Sequence, residues 1–144
     1  MTIDERNDEV NKALESRFSQ LNAALEEHET RLKAMMVPKN TEAVYRSYCE
    51  EELDSGKSTG EYTFYIGMIK LRGNWRLCHA SHYLSYSGWD SGDLDWKPIV
   101  EASIEDRINA AKHIDKLREA IVKVKEELVP DVEKAIEALA TSLE

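Results

Sequence analysis

The sequence predicts an α+β fold: a long N-terminal helix, a small antiparallel β-meander of three or four strands, and a long Pro-broken C-terminal helix, with coiled-coil-like helix packing. Three observations predict it. Ten of the eleven aromatic side chains lie between Tyr45 and Trp96, including all three Trp and all six Tyr. On either side of that block, apolar residues recur at alternating steps of three and four, the spacing of a helical seam. Within it, residues 62–71 alternate with the period of a strand. A chain of 144 residues fits a single domain. It divides into a helix over 4–36, an aromatic-rich β region over 41–99, and a helical region over 103–143 broken at Pro130.

The first helix opens on Thr2 and Glu5, spaced as a capping box, with acidic residues in its first turn. Its seam is Leu14, Phe18, Leu21, Leu25, His28, Leu32 and Met35. About thirty helical residues would span roughly 45–50 Å, more than the sheet of so small a domain can cover. The excess needs the C-terminal helix or a second copy as cover, so a homodimer is expected. His28 is polar in an apolar seam, where such a residue can set register. Val37-Pro38 ends the helix.

Residues 41–52 fit helical spacing at Val44, Tyr45, Tyr48 and Cys49, yet their Tyr and Val content favours a strand, which is the reading adopted. Leu53 to Gly60 is a polar loop. Tyr62 to Leu71 is the clearest strand. Both its faces are apolar, as for a strand covered on both sides. Arg72-Gly73-Asn74-Trp75 reads as a tight hairpin with Gly-Asn supplying positive φ. Arg72 opposite Trp75 then sets Ile69 opposite Cys78 and Tyr65 opposite His82. The return strand covers about Trp75 to Tyr83. Ser85 to Asp93 is a second loop, and Leu94 to Ile99 a short edge strand carrying Pro98. Ser103, with Asp106 three residues on, opens the last helical region. Its seam is Ile114, Leu117, Ile121, Val124 and Leu128. Beyond Pro130 a fresh stripe follows at Val132, Ile136, Leu139 and Leu143.

The formal net charge is −9. By segment it is −3 over 1–36, −2 over 37–60, 0 over 61–99 and −4 over 100–144. An acidic chain repels nucleic acid and anionic membrane at long range, so neither is an expected partner. No apolar run reaches the length of a membrane span. The polar, acidic start Thr2-Ile3-Asp4-Glu5 lacks the pattern of a signal peptide. Cytoplasmic location is therefore expected, with Cys49 and Cys78 as free, buried thiols.

Chemistry-bearing motifs are weak. Ser55-Gly56-Lys57-Ser58 carries the tail of a phosphate-binding loop, but its required upstream glycine is Glu51, among three carboxylates. Cys49, Cys78, His79 and His82 can ligate metals, yet lack the close ligand pairs of zinc sites. Asp90, Asp93 and Asp95 miss the spacing of a calcium loop. No nucleophile motif is present. No catalytic residue, metal or cofactor is assigned. Most of the aromatic block is needed as core. Trp89, beside Gly88 in a polar loop, and Tyr86 near it are the aromatics the core need not claim, so they are the expected partner-binding residues.

These features favour a non-enzymatic protein–protein interaction module: an adaptor, regulator or chaperone-like homodimer. One alternative is an acidic inhibitor or immunity-type protein that blocks a basic partner. Another is a small-ligand binder or enzyme using the aromatic β region.

Overall fold

A computed structural model describes residues 1–143. The elements are α1 (Ile3–Ala34), β1 (Thr41–Glu51), β2 (Ser58–Leu71), β3 (Asn74–Ser85), β4 (Lys97–Pro98), a single 3₁₀ turn (Ile99–Glu101), α2 (Ile104–Ala111) and α3 (Ile114–Ser142). The four strands form one antiparallel sheet in the order β1-β2-β3-β4. This is the predicted α+β arrangement of long helix, meander and long helix. Residues 41–51 are indeed strand, paired with β2 from Thr41↔Met68 onward.

Both predicted N-caps form. Thr2 Oγ1 accepts from the Glu5 N–H at 3.1 Å, and Ser103 Oγ accepts from the Asp106 N–H at 3.1 Å. Each satisfies an amide that the first turn leaves without a helical partner.

The β2–β3 hairpin differs from expectation by two residues in register. Leu71 faces Asn74, so Ile69 faces Arg76 and Tyr65 faces Ala80. The turn residues are Arg72 (φ 49°) and Gly73 (φ 85°). A two-residue turn of this hand needs positive φ at both central positions and favours glycine at the second. Arg-Gly meets that pattern. Gly-Asn would place the glycine first.

In β1 a bulge lies between Val44, opposite Tyr65, and Arg46, opposite Phe64. Tyr45 is the extra residue. The bulge drives it into the core at 4 % exposure. Ile66 and Met68 of β2 and Leu77 of β3 share that core with Leu25 and Leu32 of α1, Ala110 of α2, and Ile114, Leu117 and Ile121 of α3. Fully burying such aliphatic side chains stabilises by about 1.5–3 kcal/mol each. On the opposite face, Ile69, Cys78 and Ala80 are buried. Trp96 closes over Gly67 there. A Cβ on Gly67 would meet the Thr41 carbonyl oxygen at 2.9 Å and Trp96 at 3.1 Å, so the position requires glycine.

Two expectations about the helices are sharpened. First, the seams of both long helices serve the sheet: α1 makes its main backbone contacts with β3, and α3 with β1 and β2, while Leu25 and Leu32 of α1 share one core with Ile114, Leu117 and Ile121 of α3. Lys125 Nζ donates to the Met35 carbonyl oxygen and ties α3 to the end of α1. A three-four apolar stripe suits a sheet as well as a partner helix. Second, Pro130 does not break the helix. α3 runs through it without interruption, and the break lies at Lys112–His113, where α2 hands over to α3. Pro130 lies in an exposed stretch, where water can take the carbonyl its ring leaves unbonded. Among the described residues, no helix is long and apolar enough to cross a membrane.

Candidate functional site

The β-meander aligns one tyrosine from each of three strands. Tyr48 of β1 faces Tyr62 of β2, and Tyr62 faces Tyr83 of β3. Directly opposed residues share a sheet face and stand close enough for rings to touch. The Tyr48–Tyr62 centroids are 5.1 Å apart and stacked, and Tyr62–Tyr83 are 4.5 Å apart. Phe64 extends the row 6.0 Å from Tyr48, and Trp89 extends it at the other end, 5.7 Å from Tyr83. The row lies on the face that carries the helices, beyond the part they cover. Tyr48 is 41 % exposed and Trp89 59 %.

Arg46 closes one end. Its guanidinium lies 5.1 Å from the Tyr48 ring centroid and 5.5 Å from that of Phe64, within cation–π reach. Its Nη1 also sits 3.5 Å from Glu105 of α2. Partial burial raises the Tyr62 phenol above its ordinary range, and the Glu50 carboxylate adds to the rise. Tyr62 is therefore a neutral donor at physiological pH.

The loop holding Trp89 is tied down. Ser85 N–H donates to the Trp89 carbonyl at 2.7 Å, Gly88 N–H donates to the Ser85 carbonyl, and Gly88 takes φ 103°. Asp90 Oδ1 accepts from the Gly92 N–H at 2.6 Å and pairs with His82 Nε2 at 2.8 Å. Those bonds, the Gly92 amide first, hold the Asp90 carboxyl below the usual carboxylate range.

The structure separates the two predicted partner-binding residues. Trp89 sits on Tyr83. Tyr86, 54 % exposed, turns to the other side, where its hydroxyl meets Cys49 Sγ at 3.6 Å. Cys49 faces Glu61, one step out of phase with the tyrosine row. Tyr86 and Trp89 thus flank the end of the sheet on opposite faces. Sequence reasoning missed Tyr48, Tyr62 and Tyr83 as a surface because it assigned them to core. Their signal was pairing in register, which needs the β1 bulge to be known.

The seam residues divide by depth. Leu25, Leu32, Ile114, Leu117 and Ile121 are buried; Phe18, Leu21, His28, Val124 and Leu128 are partly covered; Leu14 is exposed. Cys78 is buried as expected, but Cys49 is exposed. Burial pushes the Cys78 thiol up to about 11, which keeps it protonated and inert. His79 is lowered by burial, and its Nε2 has no hydrogen-bond partner. Among the described residues, no group of three or more His, Cys, Asp or Glu is placed to hold a metal ion. Gly56-Lys57-Ser58 closes the β1–β2 hairpin and leads into a strand. A phosphate-binding loop must lead into a helix.

Comparison of the chain with known protein families, curated proteins and solved structures finds no match.

Proposed function

We propose that this protein is a non-enzymatic protein–protein interaction module, an adaptor, regulator or chaperone-like subunit that works as a homodimer. The observation that carries the reading is the aromatic row Tyr48–Tyr62–Tyr83–Trp89, exposed at its Tyr48 and Trp89 ends and half-buried between them. Tyr and Trp supply large contact area at low entropic cost and are enriched among residues that dominate binding energy. A tied loop and a sheet hold this row in place, so little ordering is needed on contact. The overhanging helix ends support self-association. Residues 3–17 of α1, and 129–142 of α3 with its C-cap Leu143, are exposed throughout. Val132, Ile136, Leu139 and Leu143 nevertheless keep helical spacing, and Leu139 is 68 % exposed. The acidic balance fits a protein partner in the cytoplasm better than nucleic acid or an anionic membrane.

One pair of variants tests both parts. At tens of micromolar, sedimentation should give a dimer for the wild type and a monomer for Leu139→Asp. Affinity capture from native-host lysate should lose its partner with Trp89→Ala while the dimer persists. A wild-type monomer throughout would remove the dimer. An unchanged capture with Trp89→Ala and Tyr83→Ala would remove the aromatic surface.

A further inference from the structure

The geometry points to a second site, unconnected with the aromatic row: a cleft for a small phosphate monoester with an apolar body. The cleft has a volume of about 730 Å³ and lies beside the β2–β3 turn, between α1 and β4. That size matches small-ligand pockets, typically about 300–1,000 Å³.

Its lining reverses the charge of the chain. Four cations, Lys33, Arg72, Arg76 and Lys97, meet there with two carboxylates, Glu29 and Glu101, in a protein of net charge −9. Glu29 is already engaged. Its Oε2 accepts from the Leu77 N–H at 2.7 Å and from Arg76 Nε at 3.2 Å. It thereby fixes the Arg76 guanidinium in place by one edge. Among the described residues the terminal nitrogens of Arg76 form no ion pair, and neither does Arg72. Lys97 has only a loose exposed contact, 3.8 Å from Asp95, which is worth little in water.

The lining therefore carries an excess of two positive charges. A phosphate monoester carries about −1.5 to −2 at neutral pH. Two guanidinium groups match the tetrahedral oxygens of phosphate through paired N–H donors. A carboxylate would neutralise only half of the excess. Trp96 supplies the apolar wall. Its packing over Gly67 and beside Tyr65, at 6.4 Å, holds the ring in place before any ligand arrives. An aryl or similarly flat body can lie along it.

The test is calorimetric titration of the full chain with phenyl phosphate, inorganic phosphate and a phosphotyrosine pentapeptide. Phenyl phosphate should bind with a dissociation constant below about 1 mM, inorganic phosphate at least about tenfold more weakly. Arg72→Asn should weaken phenyl phosphate about tenfold, the loss of one charge-assisted contact. Asn tolerates positive φ, so the turn survives. Lys97→Gln, outside the turn, should act similarly. An unchanged melting temperature in both variants shows that folding is intact. No heat with phenyl phosphate at several millimolar overturns the proposal, as does unchanged affinity in both variants. Inorganic phosphate binding as tightly overturns the role of Trp96. A pentapeptide that binds more tightly than phenyl phosphate overturns the small-molecule assignment.

Discussion

The two halves of each long helix follow the same rule and meet different fates. In α1, Leu25 and Leu32 are all but fully buried, while Ile3, Val10 and Leu14 face water. In α3, Ile114, Leu117 and Ile121 are buried, while Val132, Ile136 and Leu139, and the C-cap Leu143, face water. Spacing is alike in the two halves; what differs is whether a sheet lies beneath. Periodicity thus encodes a face that can be covered, and only the tertiary arrangement says what covers it. The inner halves hold the fold, and the outer halves bury nothing within the chain.

The comparison breaks most visibly in the core. Leu117→Ala should lower unfolding free energy by about 3 kcal/mol, through lost transfer energy and a residual cavity. Ile136→Ala should change it by less than about 0.5 kcal/mol when measured on dilute protein, where association is suppressed. Chemical denaturation at two protein concentrations reads both. If Ile136→Ala costs as much as Leu117→Ala at high dilution, the outer half of α3 is part of the fold itself.

Much of the fold was legible because its signals are local. Thr2 and Ser103 announce their helices by capping chemistry, and Val37-Pro38 and the glycine loops mark the ends of elements. The strand character of 41–51 was legible from Tyr and Val content against a competing helical spacing. What escaped is the register of the sheet. The turn centre at Arg72-Gly73 moves every pairing in β2–β3 by two. The bulge at Tyr45 decides whether Tyr48 lands opposite Tyr62. Without those two facts the tyrosine row cannot be assembled, so the site was read as core plus Trp89 and Tyr86. Pro130 misled for another reason. A proline removes one hydrogen bond, which an exposed helix tolerates, whereas the junction at Lys112–His113 carries no proline to announce it.

Helix caps sharpen the comparison at a smaller scale. Ser103→Ala should cost about 1 kcal/mol of global stability, because α2 brings Ala110 into the core and its cap is coupled to that packing. Thr2→Ala removes the same kind of bond, yet should leave the global transition almost unmoved. α1 can fray through its exposed first turns while Leu25 and Leu32 stay in place. The measurement is paired: denaturation for global stability, and amide exchange at residues 5–10 for local fraying. Thr2→Ala should speed exchange there several-fold. An equal loss of global stability in both variants would mean that the outer half of α1 unfolds together with the core.

The smallest expected effect comes from a proton beneath α2. His79 stands opposite Ile66 on the helix-covered side of β3, with an unpartnered Nε2. Burial lowers its pKa from the ordinary 6.5; Lys97 adds to the lowering, while Asp106 and Glu101 oppose it. The unfolded chain therefore takes up the proton more readily than the folded one. Stability from this group is complete above the unfolded value near 6.5 and falls as pH drops through it, levelling once the folded imidazole also protonates. His79→Leu should flatten the stability curve between about pH 7.5 and 5 relative to the wild type, above the range where most carboxylates titrate. Urea denaturation across that range checks it. Identical slopes in the two proteins would mean that water reaches His79 freely, and that the covered half of the molecule is wetter beneath α2 than its packing implies.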